Sequence, residues 1–239
     1  MANATFRFHD ELERFLAPAH RGRLIARDCA RAATLKNAVE ALGVPHTEVG
    51  RLAVNGAPAT LARILREGDA VEVFPPAPGT GAGDGPLAFI ADAHLGGLAR
   101  MLRMLGFDTL YDNGFHDPEI IAIAARERRI VLSRDRELLK CREIARGAYV
   151  HALKPEAQLR EIAARFALER HMRPFTLCLE CNLPLTEAAR DVAQARIPDR
   201  IYARYARFMH CAGCNGIFWE GSHWERMRAV LAATLETAV

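Results

Sequence analysis

The alternation of apolar and polar residues is that of strands in two early runs, Ala4 to His9 and Arg23 to Cys29. Thr34 then opens a helical stretch that closes at Gly43, because a threonine hydroxyl caps a helix start and glycine tolerates the left-handed backbone at its end. Two more strands follow, Arg51 to Asn55 and Ala70 to Phe74; in the second, Val71 and Val73 share one face and Glu72 takes the other. Asn55-Gly56 marks a tight turn after the first of them. The predicted order is ββαββ.

The pattern breaks at PPAPGTGAGDGP, Pro75 to Pro86, where proline and glycine exclude a helix or a central strand and predict a linker. Beyond it the period changes. Leu87 to Ala91 is continuously apolar, Leu95, Leu98, Leu102 and Leu105 mark one helix face, and Gly106 stops that helix. Phe107 to Tyr111 predicts a second strand, Asp117-Pro118 caps a helix that turns Ile120, Ile121 and Ala124 inward, and Arg129 to Leu132 predicts a third strand. Arg136 to Cys141, Ala148 to Ala152 and Glu156 to Glu169 continue as helix, strand and long amphipathic helix. Strands separated by helices imply a parallel sheet and an α/β fold, whereas ββαββ suggests an α+β grasp. The expected boundaries are a β-grasp over 1–76, a linker over 77–86, an α/β domain over 87–174 and a cysteine-bearing module over 175–239. Ser222 is expected to cap a last helix with Met227, Val230 and Leu231 in the core.

Composition changes this picture little. Half of the 239 residues are hydrophobic and 26% are charged, which excludes a wholly disordered or fibrous chain. No run approaches the roughly 20 apolar residues of a membrane span, and MANATFRFHDELERF lacks the apolar core of a secretory signal, so the expected compartment is the cytoplasm. The net charge of +3 does not by itself announce a nucleic-acid binder. Basic residues are nearly all arginine, which suits bidentate phosphate contacts and equally follows from codon usage.

Of the six cysteines, Cys29 and Cys141 stand alone in apolar surroundings and read as inert thiols. Cys178-x-x-Cys181 and Cys211-x-x-Cys214 are two knuckles of the kind that gives four thiolates to one tetrahedral Zn²⁺, and with no position left open that zinc would be structural. Phe218, Trp219 and Trp224 either stack on bases or pack over the ribbon.

In parallel α/β sheets ligands gather beyond the carboxyl ends of the strands. Asp92 follows LAFIA and Asp135 follows IVLSR, while Asp117 and Glu119 open the intervening helix. Crowded carboxylates repel unless a cation neutralises them, and hard oxygen ligands suit Mg²⁺ or Mn²⁺. Such a site implies phosphodiester hydrolysis, with the Ser133 hydroxyl to position a water and the Arg134 guanidinium to hold a phosphate. Each residue also has a plainer role: Asp117 as a helix cap, Glu119 as a dipole partner, Asp92 and Asp135 as turn residues, Asp112 as a loop residue, Arg100 and Arg103 on a solvated helix face.

Two resemblances add to these readings. TLKNAVEALGVPHTEVGRLAVNGAPATLARILREGDAVEVFPP resembles the ubiquitin-like sulfur-carrier family, which implies a β-grasp. Sulfur carriers end in a free Gly-Gly, whereas this chain runs on through Pro76, so the expected role is a binding or positioning module with a protein partner. From about Ala88 to Met227, FIADAHLGGLARMLRMLGFDTLY, DPEI, RRIVLSRDREL, the paired cysteines and FWEGSHWERM resemble the Mut-seven-C RNase family. That resemblance implies a PIN-like nuclease acting on RNA, with Asp92, Asp117 and Asp135 as catalytic carboxylates on Mg²⁺ or Mn²⁺, Glu119, Ser133 and Arg134 in support, and Arg100 as a phosphate contact. The alternative is a non-catalytic RNA-binding or adaptor protein whose ubiquitin-like domain recruits partners.

Overall fold

A computed structural model describes residues 2–30, 32–80 and 85–236; residues 81–84 of the expected linker lie outside the described ones. The first elements are β1 (Ala2–Phe8), β2 (Ile25–Cys29), α1 (Leu35–Ala41), β3 (Arg51–Val54), β4 (Ala57–Ala59) and β5 (Ala70–Phe74). They form a five-stranded sheet of order β2-β1-β5-β3-β4, with β1 and β5 parallel at its centre and the other pairs antiparallel. This is a ubiquitin-like β-grasp. Thr34 caps α1 as expected, its Oγ1 accepting from Asn37 N at 3.3 Å. Asn55 and Gly56 both take positive φ, 53° and 77°, which gives the hairpin turn the twist of its flanking strands. The strand beyond that turn, β4, is missing from the sequence reading, because three residues around Pro58 are too few to show alternation. The core is built from Phe6, Phe8, Leu35, Val39, Val71 and Val73, closed on one side by Leu12 and Phe15.

The chain continues as β6 (Phe89–Ala91), α2 (Gly96–Met104), β7 (Thr109–Leu110), α3 (Asp117–Glu127), β8 (Ile130–Ser133), α4 (Arg136–Lys140), β9 (Gly147–Tyr149) and α5 (Pro155–Phe166). The strand pairs β6–β7 and β8–β9 are parallel, as helical crossovers require. The last elements are β10 (Leu185–Glu187), α6 (Arg190–Gln194), α7 (Asp199–Arg204), β11 (Met209–Cys211), β12 (Ile217–Phe218) and α8 (Ser222–Leu235), with β10, β11 and β12 in one antiparallel sheet.

These elements divide into two units, residues 1–86 with 116–150 and residues 87–115 with 151–239. In the first, the turn of 3₁₀ helix at His46–Glu48 lies against β9. The buried Glu48 carboxylate accepts from Tyr149 N at 2.8 Å, and the His46 ring spans Glu40 Oε1 at 2.7 Å and Ile144 O at 2.8 Å. Arg136, the first residue of α4, donates to Phe15 O at 3.0 Å and lies over the Phe15 and Tyr149 rings. The β-grasp is thus hydrogen-bonded to the segment that carries Asp135.

In the second unit Leu95, Leu98, Leu102 and Leu105 are all fully buried, and Phe89 meets Phe107 and Phe166 edge to face at 6.1 and 5.7 Å. Three expectations are corrected there. The strand expected over Phe107 to Tyr111 is ordered as a ladder only at Thr109–Leu110, because the Phe107 N–H is committed to Leu102 O at the end of α2. Ser222 is the first residue of α8 and not its cap, which is Gly221. Val230 is 45% exposed while Leu231 is fully buried: adjacent helix positions differ by about 100°, and the buried stripe runs through Leu231 and Thr234.

Candidate functional site

Among the described residues the four cysteines are the group of three or more metal-ligating side chains whose ligand atoms all lie within 4.8 Å of one another. Tetrahedral coordination with Zn–S of about 2.3 Å demands sulfurs about 3.8 Å apart, and the Cys178 and Cys214 sulfurs stand at 3.8 Å. Each knuckle is followed by an asparagine with φ 59°, Asn182 and Asn215, which turns the chain back past the thiols. Asn182 Oδ1 accepts from Thr109 N at 2.9 Å, and Asn215 Oδ1 meets Arg196 Nη1 and His210 Nε2, each at 2.8 Å. A Cβ at Gly213 would sit 2.8 Å from Leu183 Cδ1 and 3.2 Å from Cys181 Sγ, so the knuckle leaves no room for a side chain there.

The thiols do not shed their protons equally. Burial, reinforced by the neighbouring thiols, pushes Cys181 up to about 12. At Cys211 burial acts upward too, but the N–H groups of Cys214 and Gly213 and the other thiols outweigh it and bring the group down to about 7. A dication is what lets all four ionise together. The four sulfurs can hold a zinc ion.

Arg103, read from the sequence as solvated, is buried. Its Nε donates to Thr109 O at 2.9 Å and its Nη1 to Leu179 O at 2.8 Å, so it ties α2 to the first knuckle. Desolvation lowers its pKa. A buried arginine on an otherwise apolar helix face leaves no trace in periodicity.

Asp92 lies directly after β6 and its Oδ1 accepts from Ala93 N at 2.6 Å. Tyr111, which no sequence argument singled out, donates its hydroxyl to Ala93 O at 2.9 Å. Arg100, exposed on α2, is ion-paired with Glu180. Asp112 is the loop residue expected, accepting from Gly114 N at 2.8 Å.

The remaining candidates belong to the other unit. Asp117 was expected to cap α3; instead it is the first helical residue, and His116 is the cap. Glu119 Oε2 accepts from His116 N at 3.0 Å, so its carboxylate serves the helix start. Ser133 ends β8 fully buried, and its Oγ accepts from Asp135 N at 2.8 Å. Asp135 caps α4, Oδ1 accepting from Glu137 N at 2.7 Å and more weakly from Leu138 N. Arg134 is half-buried between them.

Both Asp117 and Asp135 are exposed, and among the described residues neither enters an ion pair. Both bear on the Cys141 thiol. Burial pushes the Cys141 thiol up, and Glu143, Asp117, Asp135 and Glu137 push it further the same way. Within this unit no three carboxylates gather as closely as the four sulfurs do, among the described residues.

The model of the Mut7-C RNAse domain matches residues 87–231, and that of the Mut7-C ubiquitin domain matches residues 1–78. Two solved structures of the small archaeal modifier protein SAMP1 from Haloferax volcanii are 21% and 20% identical to this chain. Each covers 32% of it, and 100% and 97% of the modifier's own length, with a TM-score of 0.27. No curated protein matches.

Proposed function

Because the chain belongs to the Mut7-C RNAse domain family, whose model spans residues 87–231, we propose that it is a metal-dependent ribonuclease in which Asp92, Asp117 and Asp135 hold Mg²⁺ or Mn²⁺. Bound there, the cation would lower the pKa of a coordinated water and neutralise charge developing on the phosphate. The observation that carries the reading is the family match over residues 87–231, beside which Asp117 and Asp135 stand exposed and enter no ion pair among the described residues. Carboxylates brought together without a counter-charge would favour a bound dication.

The chain's own groups divide the work. Ser133 fixes the backbone of Asp135, and two helix N–H groups orient its Oδ1, leaving the other oxygen for a ligand. Arg134 and Arg100 supply guanidinium groups for substrate phosphates, Arg100 by exchanging its exposed Glu180 partner. Glu119 supports the site by fixing the start of α3. Water adds to phosphorus, the bond to the leaving ribose oxygen breaks, and the proton lost by the water ends on that oxygen.

One zinc on Cys178, Cys181, Cys211 and Cys214 holds the ribbon together, and the chain reads as a β-grasp over 1–76, a linker over 77–86, a PIN-like nuclease over 87–174 and a zinc ribbon with its helix over 175–239. No described helix is long and apolar enough to cross a membrane, in keeping with a cytoplasmic enzyme. A second reading, an RNA-binding adaptor whose ubiquitin-like domain recruits partners, is favoured by one observation: Asp92, Asp135 and Glu119 each accept a backbone N–H as an ordinary capping residue does. Labelled single-stranded RNA incubated with the zinc-loaded chain and Mn²⁺ separates the two. The nuclease reading expects cleavage that Asp135→Asn abolishes; intact RNA, or equal cleavage by the variant, supports the adaptor.

A further inference from the structure

Between residues 190 and 210, within the stretch that joins the two knuckles, the charges are segregated. Arg190, Arg196, Arg200, Arg204 and Arg207 stand against Asp191 and Asp199, whereas residues 175–239 as a whole balance. Two of the five arginines are committed to structure. Arg190 donates its Nε to the Tyr202 hydroxyl at 3.0 Å and lies over that ring, which stacks on the buried Phe208 at 5.9 Å. Arg196 is held by Asn215 at the second knuckle. These contacts fasten α7 to the ribbon.

The other three arginines are exposed, and none enters an ion pair among the described residues. Arg200 and Arg204 are one helical turn apart on one face of α7, about 6 Å along its axis, and Arg207 follows just before β11. Tyr205, between Arg204 and Arg207 in the sequence, is half-buried, with the Arg204 guanidinium 5.5 Å over its ring. Arg200 and Arg204, exposed like charges one turn apart, repel one another, and with Arg207 three residues on, a strand's successive phosphates would relieve that repulsion through bidentate contacts. An aromatic face among them offers a stacking platform that accepts any base.

We infer that Arg200, Arg204, Arg207 and Tyr205 form a binding surface on the zinc ribbon for single-stranded RNA, built from residues other than the aspartates. The inference rests on the ribonuclease reading only for the choice of RNA among polyanions. Its contacts are to phosphates and to the flat faces of bases, so it holds a strand without reading its sequence.

The test uses the full zinc-loaded chain with Asp135→Asn to prevent cutting, and a fluorescein-labelled single-stranded RNA whose anisotropy is followed across salt concentrations. The triple variant Arg200→Gln, Arg204→Gln, Arg207→Gln is expected to bind at least about tenfold more weakly. Its slope of log K against log salt is expected to fall by about 2, at about 0.7 for each phosphate that is no longer neutralised. Zinc content and melting temperature should stay at parental values, and the three lysine replacements should restore most of the slope. Tyr205→Ala should weaken binding with the slope unchanged. Equal affinity and slope in parent and glutamine variant would overturn the inference, as would a parent that binds no RNA, or one that binds polyglutamate as tightly. Active chain that cleaves RNA while the triple variant binds normally refutes this surface and spares the nuclease; binding abolished in the triple variant of a chain that never cleaves does the reverse.

Discussion

Two regions of the same unit treat carboxylates in opposite ways. In the β-grasp, Asp69 is buried and saturated: Arg63 grips both oxygens at 2.7 and 3.1 Å, Arg66 N donates at 2.8 Å and Asn55 at 3.0 Å. The Arg63 guanidinium, aided by those N–H donors, brings the carboxyl down to about 2 against the cost of burial. At the ends of β8 and α3 the picture inverts. Asp135 and Asp117 are exposed, receive at most helix N–H groups, and enter no ion pair among the described residues. A carboxylate whose charge is met inside the protein holds the fold, while exposed carboxylates outside any ion pair are the ones we propose for an external cation. The four cysteines are a third instance of the second kind, with donors already at ligand spacing.

Substitutions can break this contrast, and the largest effect belongs to the sulfurs. Structural zinc contributes on the order of 10 kcal/mol to the folding of small modules. Cys178→Ser should therefore drop zinc from about one per chain to near none, with loss of the ribbon's cooperative melting; elemental analysis and calorimetry read both.

Next is Asp135→Asn, expected to lower cleavage about a thousandfold, about 4 kcal/mol of barrier, with far-ultraviolet dichroism and melting temperature nearly unchanged. Unfolding in place of inactivation would move Asp135 into the class of Asp69.

Asp69→Asn supplies the opposite outcome, about 2 kcal/mol of stability lost with the rate per folded molecule kept. The pH dependence has a definite sign. Because the folded pKa lies below the ordinary value of 3.8, the pair's stabilisation is complete above that value and disappears as pH falls toward about 2. Denaturant titrations between those limits should show the slope in wild type and not in the variant.

The smallest effect probes the join between the two. Arg136 reaches Phe15 O from the residue next to Asp135. Arg136→Ala should cost about 1 kcal/mol and lower kcat more than it alters KM, whereas a merely structural contact would leave the kinetics alone.

Much of this was legible in the sequence because it depends on local chemistry. Thr34, Asn55-Gly56, the leucine stripe of α2 and the two CxxC turns each state their geometry within a few residues. Asp135 at a helix start after an apolar strand was equally plain. What stayed hidden depends on chain segments far apart. Arg103 looks like any surface arginine until the knuckle carbonyls arrive from some 76 positions away. The grip of Glu48 on Tyr149 N joins residues 101 apart, and neither carries a local sign of it. His116 was not legible as the cap of α3, because a histidine carries a weaker capping signal than the aspartate that follows it.

The claim that most needs direct measurement is that Asp92, Asp117 and Asp135 share a divalent ion. Zinc-loaded chain titrated with Mn²⁺ in a calorimeter should show a site at the aspartates, weakened at least tenfold by asparagine at any one of the three and untouched by Asp69→Asn. Wild-type protein that takes up no Mn²⁺, or three asparagine variants that bind it as the wild type does, would contradict the account.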